Sequence, residues 1–305
     1  MIDITHKSFS LRQAIATARV RVSHSATITA IRERRVPKGD VLEMARTAGL
    51  FAVKKTSELI PDCHPLPVEF TQISYEISDM DILIRVEVHT VYKTGVEVEA
   101  MHGASVVALT LYDMLKPIDK GIVIEHIALE KKKGGKSDLK KDINPELRAA
   151  VLVCSDSISR GDKEDTSGKN IASVLERYAV QIAEYAIIPD EKEIIQEQVW
   201  KQVSAKINII IFTGGTGLSA RDVTPEALIP LLDRRLPGVE ETIRSYGQER
   251  MPYAMLSRSV AGMTANTLVL ALPGSSRGAL ESMEAIFPAV LHIFKAMQGG
   301  RHEEN

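Results

Sequence analysis

The sequence predicts two domains of different fold class: an α+β domain with an antiparallel sheet, followed by an α/β domain with a doubly wound parallel sheet. Strands and helices are mixed in the first half, whereas they alternate strictly in the second. Residues 131–147 between the halves are polar, charged and glycine-containing, as is typical of a loop followed by a linker. A length of 305 residues also suits two domains.

In the first half, residues 40–58 are predicted to form a helix, because apolar side chains recur along one face. Residues 69–78 and 82–92 alternate apolar and polar side chains as strands do, and residues 78–81 would join them as a hairpin. A second helix is predicted over 97–116, and a last strand over 122–129.

In the second half, the alternation predicts a parallel sheet with a helix after each strand. The expected elements are strands 149–154, 180–187, 207–212 and 267–272, and helices 168–178, 190–204, 225–233 and 276–297.

A glycine loop is the most informative feature of the second half. Gly214, Gly215 and Gly217, interleaved with Thr216, directly follow an apolar run that reads as a buried strand. Thr224 then opens a helix with proline behind it. Exposed backbone N–H groups before a helix N-terminus form an anion site, although a tight turn that only saves space is the alternative.

Three further loops are expected at the same edge of the sheet. They contribute Ser155, Asp156 and Ser157 in the first, Asp190 in the second, and Gly274, Ser275 and Arg277 in the third. Two glycine loops at helix N-termini suit a ligand with more than one phosphate, and the aspartates Asp190 and Asp222 beside them suggest Mg²⁺. Asp190 could equally be a helix N-cap, and Asp156 could simply belong to a turn.

Composition excludes several classes of function. A net charge of −2 gives no electrostatic case for nucleic acid or an acidic membrane. Two distant cysteines exclude a disulfide framework and a zinc knuckle. The first residues lack an apolar secretory core, and no apolar run reaches 18 residues. We therefore expect a soluble, cytoplasmic protein.

Clusters of chemically active side chains also stand out in the first half. Cys63 and His64 lie between two prolines, which restrict the backbone. Asp113 and Lys116 are three residues apart on one helix face, and Lys38 precedes another helix. An exposed ion pair and a buried helix end are the simpler interpretations, and a Cys-His pair could also indicate thiol catalysis or a metal.

Together these clusters resemble the cyclic pyranopterin monophosphate synthase family, known as MoaC. The resemblance rests on KGDV at 38–41, the run 45–55, CHPL at 63–66, KTGVEVEA at 93–100, YDM at 112–114 and GGKS at 134–137. It implies a ferredoxin-like α+β fold and conversion of 3′,8-cyclo-7,8-dihydroguanosine triphosphate to the cyclic monophosphate, with release of pyrophosphate.

In this resemblance, Asp113 and Lys116 transfer protons with Lys38 as a partner. The substrate contacts would be Asp62, Cys63, His64, Glu97, Val98 and Glu99. Asp62 departs from the family, which has an apolar residue before CHPL.

The second half is similar to the molybdopterin adenylyltransferases of the MoaB/MogA group. The resemblance rests on TGGTG at 213–217, RDVTPEA at 221–227, IPDE at 188–191 and PGS at 273–275. It implies transfer of AMP from Mg·ATP to molybdopterin, with ATP as co-substrate, Asp190 and Asp222 as catalytic acids holding Mg²⁺, and no tightly bound organic cofactor. Two alternatives to AMP transfer remain. The domain could only bind molybdopterin, or it could have a different nucleotide chemistry, as in the related domain of competence-damage proteins.

These resemblances set the expected domains at 1–140 and 148–300, with a linker at 141–147. Both families assemble around three-fold axes, so we expect a homohexamer with synthase sites between subunits.

Overall fold

The computed structural model describes residues 1–139 and 146–297. The chain divides between residues 138 and 139 into two compact units, here called the N-terminal and the C-terminal unit. Residues 140–145, which include most of the predicted linker, and residues 298–300 of the predicted second domain lie outside the described residues.

The N-terminal unit combines four strands with five helices among its described residues. The strands are β1 (Ser10–Arg21), β2 (Phe70–Ile77), β3 (Asp81–Tyr92) and β4 (Val123–Lys133), and the helices are α1 (Ser25–Arg32), α2 (Val41–Lys54), α3 (Thr56–Leu59), α4 (Glu97–Leu115) and α5 (Lys136–Leu139). The strands form one antiparallel sheet of order β2-β3-β1-β4. Helices α2 and α4 pack together against one face of this sheet, over a core of small and branched apolar side chains.

Three elements of this unit, β1, α1 and α5, were not predicted from the sequence; β4 was predicted too short, and the predicted helix 40–58 is divided into α2 and α3. Strand β1 buries alanines on its inner face, including Ala14, Ala16 and Ala18. Since alanine has a weak strand preference, its alternation gave little signal. Helix α1 was also missed. The lysines after residue 129, which were predicted to lie in a loop, belong to β4, where Lys131 and Lys133 pair with β1. Lysine has a low strand preference, but backbone hydrogen bonds to β1 extend the strand through these residues.

Asp119 fixes the turn that follows α4. It is only 2% exposed, and its carboxylate accepts hydrogen bonds from the amides of Ser23 and Gly121 at 2.9 Å and from Thr27 Oγ1 at 2.9 Å. Burial raises the pKa of this carboxyl, but the hydrogen bonds outweigh burial and lower the pKa to about 2. The ionised carboxylate therefore joins the end of β1, the start of α1 and the turn before β4.

We expect Asp119→Asn to lower the free energy of unfolding by roughly 2 kcal/mol at neutral pH, because amide replaces a hydrogen-bonded carboxylate. The folded-state pKa is depressed, so this stabilisation is present above pH ~4 and is lost as the pH falls towards 2. Urea denaturation followed by circular dichroism at pH 7, 4 and 2.5 measures the difference. Asp79→Asn, at an exposed turn, is the matched control. A wild-type advantage that did not shrink with acid would contradict this account.

The C-terminal unit is built on a six-stranded sheet. The strands are β5 (Arg148–Cys154), β6 (Gln181–Ile188), β7 (Ile209–Thr213), β8 (Arg234–Arg235), β9 (Val260–Thr264) and β10 (Thr267–Leu272). The helices are α6 (Asp156–Ser159), α7 (Ser167–Arg177), α8 (Lys192–Ser204), α9 (Thr224–Leu228), α10 (Pro237–Gln248), α11 (Ser276–Ile286) and α12 (His292–Met297). The strand order is β6-β5-β7-β10-β9-β8, and the four neighbouring strands β6, β5, β7 and β10 are parallel.

The expectation of a wholly parallel sheet was wrong at one edge. Strand β9 is antiparallel to β10, and β8 is antiparallel to β9. Neither strand was predicted, because β8 has only two residues and β9 contains glycine, so neither shows a clear alternation of apolar and polar side chains. Helix α8 begins at Lys192 with Glu191 as its N-cap, so Asp190 is not the cap. The last predicted helix, 276–297, ends at Ile286 and resumes as α12, since Pro288 follows.

Helices cover both faces of this sheet, and each face has its own core. Ile209 and Ile211 point into one core, whereas Ile210 and Phe212 point into the other. Burial on both faces explains why β7 is a continuous apolar run. Within residues 1–139 and 146–297, no helix is both long and apolar enough to cross a membrane.

Candidate active sites

Lys38, Asp113 and Lys116 form one ion-paired cluster in the N-terminal unit. Asp113 Oδ2 lies 2.7 Å from Lys38 Nζ, and Asp113 Oδ1 lies 2.8 Å from Lys116 Nζ. Lys38 Nζ also donates to the Asp113 carbonyl at 2.8 Å. The hydrogen bonds from Lys116 and Lys38 lower the pKa of the Asp113 carboxyl to about 2. A carboxylate that stays ionised between two ammonium groups holds both of them where they can bind a phosphate-bearing ligand.

Cys63 and Glu99 form a second cluster at the other end of α4. Cys63 Sγ donates to Glu99 Oε1 at 3.3 Å, and Glu99 is only 3% exposed. Burial raises the pKa of Glu99. Burial, followed by the bond to Glu99, raises the pKa of the Cys63 thiol to about 11. The thiol is therefore protonated at neutral pH, which disfavours thiolate catalysis, the alternative left open by the sequence.

Two cations lie near this second cluster: Lys132, which departs from the family pattern before the glycines, and Arg12, which the sequence did not indicate. Lys132 Nζ lies 3.3 Å from Glu97 Oε1. The Arg12 guanidinium lies against Gly135, where an added Cβ would stand 1.9 Å from Arg12 Nη1. Strand β1 was not predicted, so no sequence signal connected Arg12 to the GGKS segment.

The other residues of this unit that were predicted to contact substrate have their bonds outside the two clusters. His64 Nε2 lies 2.8 Å from the Ile2 carbonyl, Asp62 pairs with the Met1 ammonium group at 2.7 Å, and Val98 is 43% exposed. The two clusters themselves are far apart. Glu99 and Asp113 are 14 residues apart on α4, which corresponds to about 21 Å along the helix. One chain therefore does not bring all predicted synthase residues together.

In the C-terminal unit, the glycine loop lies where the strand order changes direction, between the carboxyl ends of β5 and β7. Gly214 has a φ of +105°, and a Cβ there would stand 2.1 Å from the Cys154 carbonyl oxygen. A Cβ on Gly215 would stand 2.3 Å from Thr224 Oγ1. Only glycine permits this close approach. Thr224 Oγ1 also donates to the Gly214 carbonyl at 3.0 Å, which joins the loop to α9.

Asp156 and Asp190 join two further loops by reciprocal bonds. The Asp156 amide donates to Asp190 Oδ2, and the Asp190 amide donates to Asp156 Oδ1, both at 3.2 Å. Arg221 forms an ion pair with Asp156. Burial, together with the charges of Asp156 and Asp222, raises the pKa of Asp190. Ser155 caps α6 by accepting from the Ile158 amide at 3.3 Å and lies 3.1 Å from Ser157 Oγ.

The fourth loop touches the glycine loop directly. A Cβ on Gly274 would stand 2.9 Å from Gly214 Cα, and Ser275 caps α11 by accepting from the Gly278 amide at 3.2 Å. Arg277 pairs with Glu281 at 2.7 Å instead of reaching across the loops. The structure thus brings together the four predicted loops.

A cavity of about 400 Å³ opens beside Thr216, Gly217 and the loop at Gly274. Its far wall comes from α10 and the turn after it, which were not predicted from the sequence. The wall includes Arg244, Met251, Tyr253 and Leu256.

Mg²⁺ is compatible with the aspartates of this site. Asp190 Oδ1 is buried, and the structure gives it no hydrogen-bond partner among the described residues. A buried, unpaired carboxylate oxygen suits a hard cation. Within residues 1–139 and 146–297, no three His, Cys, Asp or Glu side chains converge as a metal site. Mg²⁺ is often held by one or two carboxylates and substrate phosphates, which fits Asp190 and Asp222.

Comparison with known proteins decides the family. Residues 1–135 match the MoaC family, and residues 150–292 match the family described as a probable molybdopterin binding domain. The chain is 41% identical over 302 residues to a molybdenum cofactor biosynthesis bifunctional protein of Chlorobaculum tepidum, with 99% of this chain and 96% of that protein covered. The chain belongs to the bifunctional molybdenum cofactor biosynthesis proteins. The predicted function, enzymatic molybdenum cofactor biosynthesis, is confirmed at the level of this family.

Each half also has relatives of its own. A cyclic pyranopterin monophosphate synthase of Thermomicrobium roseum is 43% identical over 152 residues, which are 49% of this chain and 91% of that protein. The solved structure of MoaB from Thermus thermophilus, a molybdopterin biosynthesis enzyme, is 40% identical with a TM-score of 0.46 and covers 49% of this chain and 97% of that chain.

Proposed function

We propose that the N-terminal unit converts 3′,8-cyclo-7,8-dihydroguanosine triphosphate to cyclic pyranopterin monophosphate and releases pyrophosphate. The observation that carries this proposal is the ion-paired cluster of Lys38, Asp113 and Lys116. Its ammonium groups are suited to binding a triphosphate and to exchanging protons with it during ring opening and closure, and its ionised carboxylate holds them in place.

The second cluster would supply the complementary chemistry. Cys63, whose thiol stays protonated at neutral pH, is a hydrogen-bond donor, and Glu99 is a buried carboxyl whose pKa burial raises. Lys132 and Arg12 add positive charge beside Glu97 for the phosphates. The two clusters therefore contain carboxyl groups whose pKa values are shifted in opposite directions, Glu99 upward and Asp113 downward. Such a difference is typical of sites in which the carboxyl groups have different roles.

We propose that the two clusters meet across subunits of a homohexamer. About 21 Å along α4 separates them within one chain, so a neighbouring copy would complete each site. Light scattering should give six chains, and a monomer or dimer at micromolar concentration would contradict the assembly.

Mixing two inactive variants tests the shared site. Lys116→Ala and Glu99→Gln should each lose synthase activity alone. After the two are unfolded and refolded together, part of the wild-type activity should return, because some sites then combine both intact halves. If the separately refolded variants and the mixture are equally inactive, while refolded wild type is active, the site does not lie between subunits.

We propose that the C-terminal unit transfers AMP from ATP to the terminal phosphate of molybdopterin, breaking the bond between the α- and β-phosphates of ATP and releasing pyrophosphate. The supporting observation is the meeting of two glycine loops at the strand-order switch, beside Asp190 with its unpaired carboxylate oxygen. The loop amides and the N-terminus of α11 would bind phosphates. Ser275 and Arg277 would hold the ligand, and the adjoining cavity would receive part of it. Mg²⁺, held by Asp190 and Asp222, would neutralise charge on the triphosphate.

One incubation tests this assignment. The protein is mixed with molybdopterin, Mg²⁺ and ATP, and adenylylated product is measured by chromatography and mass spectrometry. ATP-dependent product supports AMP transfer. Tight binding of molybdopterin without consumption of ATP would favour a binding module instead.

We also assign residues 1–140 to the synthase domain, 148–300 to the adenylyltransferase domain, and 141–147 to a linker. The strand order β2-β3-β1-β4 supports a ferredoxin-like arrangement in the first. We propose a cytoplasmic location for the assembly.

A further inference from the structure

Arg258 joins the two ends of the loop that carries Asp222. Its Nε donates to the Gly217 carbonyl at 2.7 Å, and its Nη2 donates to the Asp222 carbonyl at 2.6 Å. Its Nη1 forms an ion pair with Glu226 on α9. The Arg258 amide also donates to the Thr216 carbonyl at 3.3 Å. All three guanidinium nitrogens are therefore used on one segment of ten residues, 217–226.

This loop has little other support. Residues 217–221 are exposed, so they pack against no core. Asp222 Oδ2 accepts from the Ser219 amide at 2.7 Å, and the Asp222 amide donates to the Ser219 carbonyl at 2.9 Å. These bonds shape the turn from within but do not attach it to the rest of the unit. Apart from the packing of Val223 against the adjoining core, the loop is attached to the rest of the unit by the Arg221–Asp156 pair and the Arg258 fork.

We propose that Arg258 is a positioning residue for Asp222 in the AMP-transfer reaction. The inference rests on the proposed function of the C-terminal unit. Arg258 bonds to the backbone carbonyls of Gly217 and Asp222 and makes no bond to the Asp222 carboxylate. It therefore fixes the backbone from which that carboxylate projects. Glu226, a member of the RDVTPEA segment, anchors Arg258 through this ion pair.

Arg258→Lys tests the proposal, because lysine keeps the charge and the backbone bond but cannot donate to three acceptors in one plane. We expect kcat for AMP transfer to fall roughly ten- to a hundred-fold, because a small misplacement of a reacting group lowers a rate by about this much. The Mg²⁺ concentration for half-maximal rate should rise, whereas KM for molybdopterin should not change. The synthase activity of the same chain is an internal control for folding.

Arg177→Lys is the matched control. Arg177 pairs with Glu284 at 2.6 Å in the same unit and touches none of the four loops. It should leave all these values unchanged. If Arg258→Lys has wild-type kcat and Mg²⁺ dependence, the positioning role is overturned while AMP transfer stands.

Amide hydrogen exchange gives a readout that needs no turnover. Arg258→Lys should speed exchange within residues 217–223 and leave β7 and β10 protected. This measurement decides the inference even if wild-type protein transfers no AMP, in which case the proposed function fails on its own. Unchanged exchange in the loop would overturn the positioning role. If Arg258→Lys does not fold, Glu226→Gln replaces it: faster exchange in the loop supports the proposal, and wild-type exchange opposes it.

Discussion

Replacing Asp113 by Asn, or Lys116 by Ala, is expected to lower the rate of cyclic pyranopterin monophosphate formation by roughly 10²–10⁴-fold. Asn keeps the size of the side chain but carries no negative charge, so it weakens both ion pairs at 2.7 and 2.8 Å and releases the ammonium groups that act on the substrate. Ala at 116 removes one of the two ammonium groups that surround the carboxylate. Chromatographic measurement of product over time gives both rates.

The fold should survive these changes, because Asp113 and Lys116 are about half exposed. Glu58→Gln is the matched control, since Lys55 and Glu58 form another exposed i,i+3 pair at 3.1 Å. Such pairs contribute about 0–1 kcal/mol, so this variant should keep wild-type activity. Near-normal conversion by both Asp113→Asn and Lys116→Ala would remove the cluster from the reaction. Because the Asp113 pKa is about 2, an acid limb near neutral pH would belong to another group.

Asp190→Asn and Asp222→Asn should each lower AMP transfer by at least ~10²-fold while changing molybdopterin affinity much less. Asp190 Oδ1 is buried without a partner, and an amide there cannot provide the negative charge that a cation requires. Asn at 190 can still accept from the Asp156 amide, so the loop should stay in place. Product formation and molybdopterin binding, measured on the same preparations, separate the two effects.

Asp162→Asn is the control for this pair of variants. Asp162 is an exposed aspartate of the same unit, paired with Arg160 at 3.4 Å. Its replacement should leave transfer unchanged. If Asp190→Asn lost molybdopterin affinity as strongly as AMP transfer, the aspartate would belong to the pterin-binding surface, and its role toward Mg²⁺ would be wrong.

Much of the fold followed from local pattern. The alternation of Ile82, Ile84, Val86 and Val88 predicted β3, because a strand with one buried face has an apolar side chain at every second residue. The apolar run before Gly214 predicted β7, because a strand buried on both faces is apolar throughout. Strands β1 and β9 could not be predicted in this way. Their residues are small or include glycine, and the neighbouring strands supply the hydrogen bonds that hold them in the sheet.

The sequence by itself determined which chemistry is present: the lysines and carboxylates of the first half, the glycine loops and aspartates of the second, and the family that these motifs indicate. Their identity and spacing are covalent properties of the chain. Only the tertiary structure decided which groups meet. It placed Lys38 against Asp113, left one oxygen of Asp190 unpaired, and brought Arg258 to the Asp222 loop. Distance, burial and hydrogen-bond satisfaction depend on packing between segments remote in sequence, so no local pattern contains them.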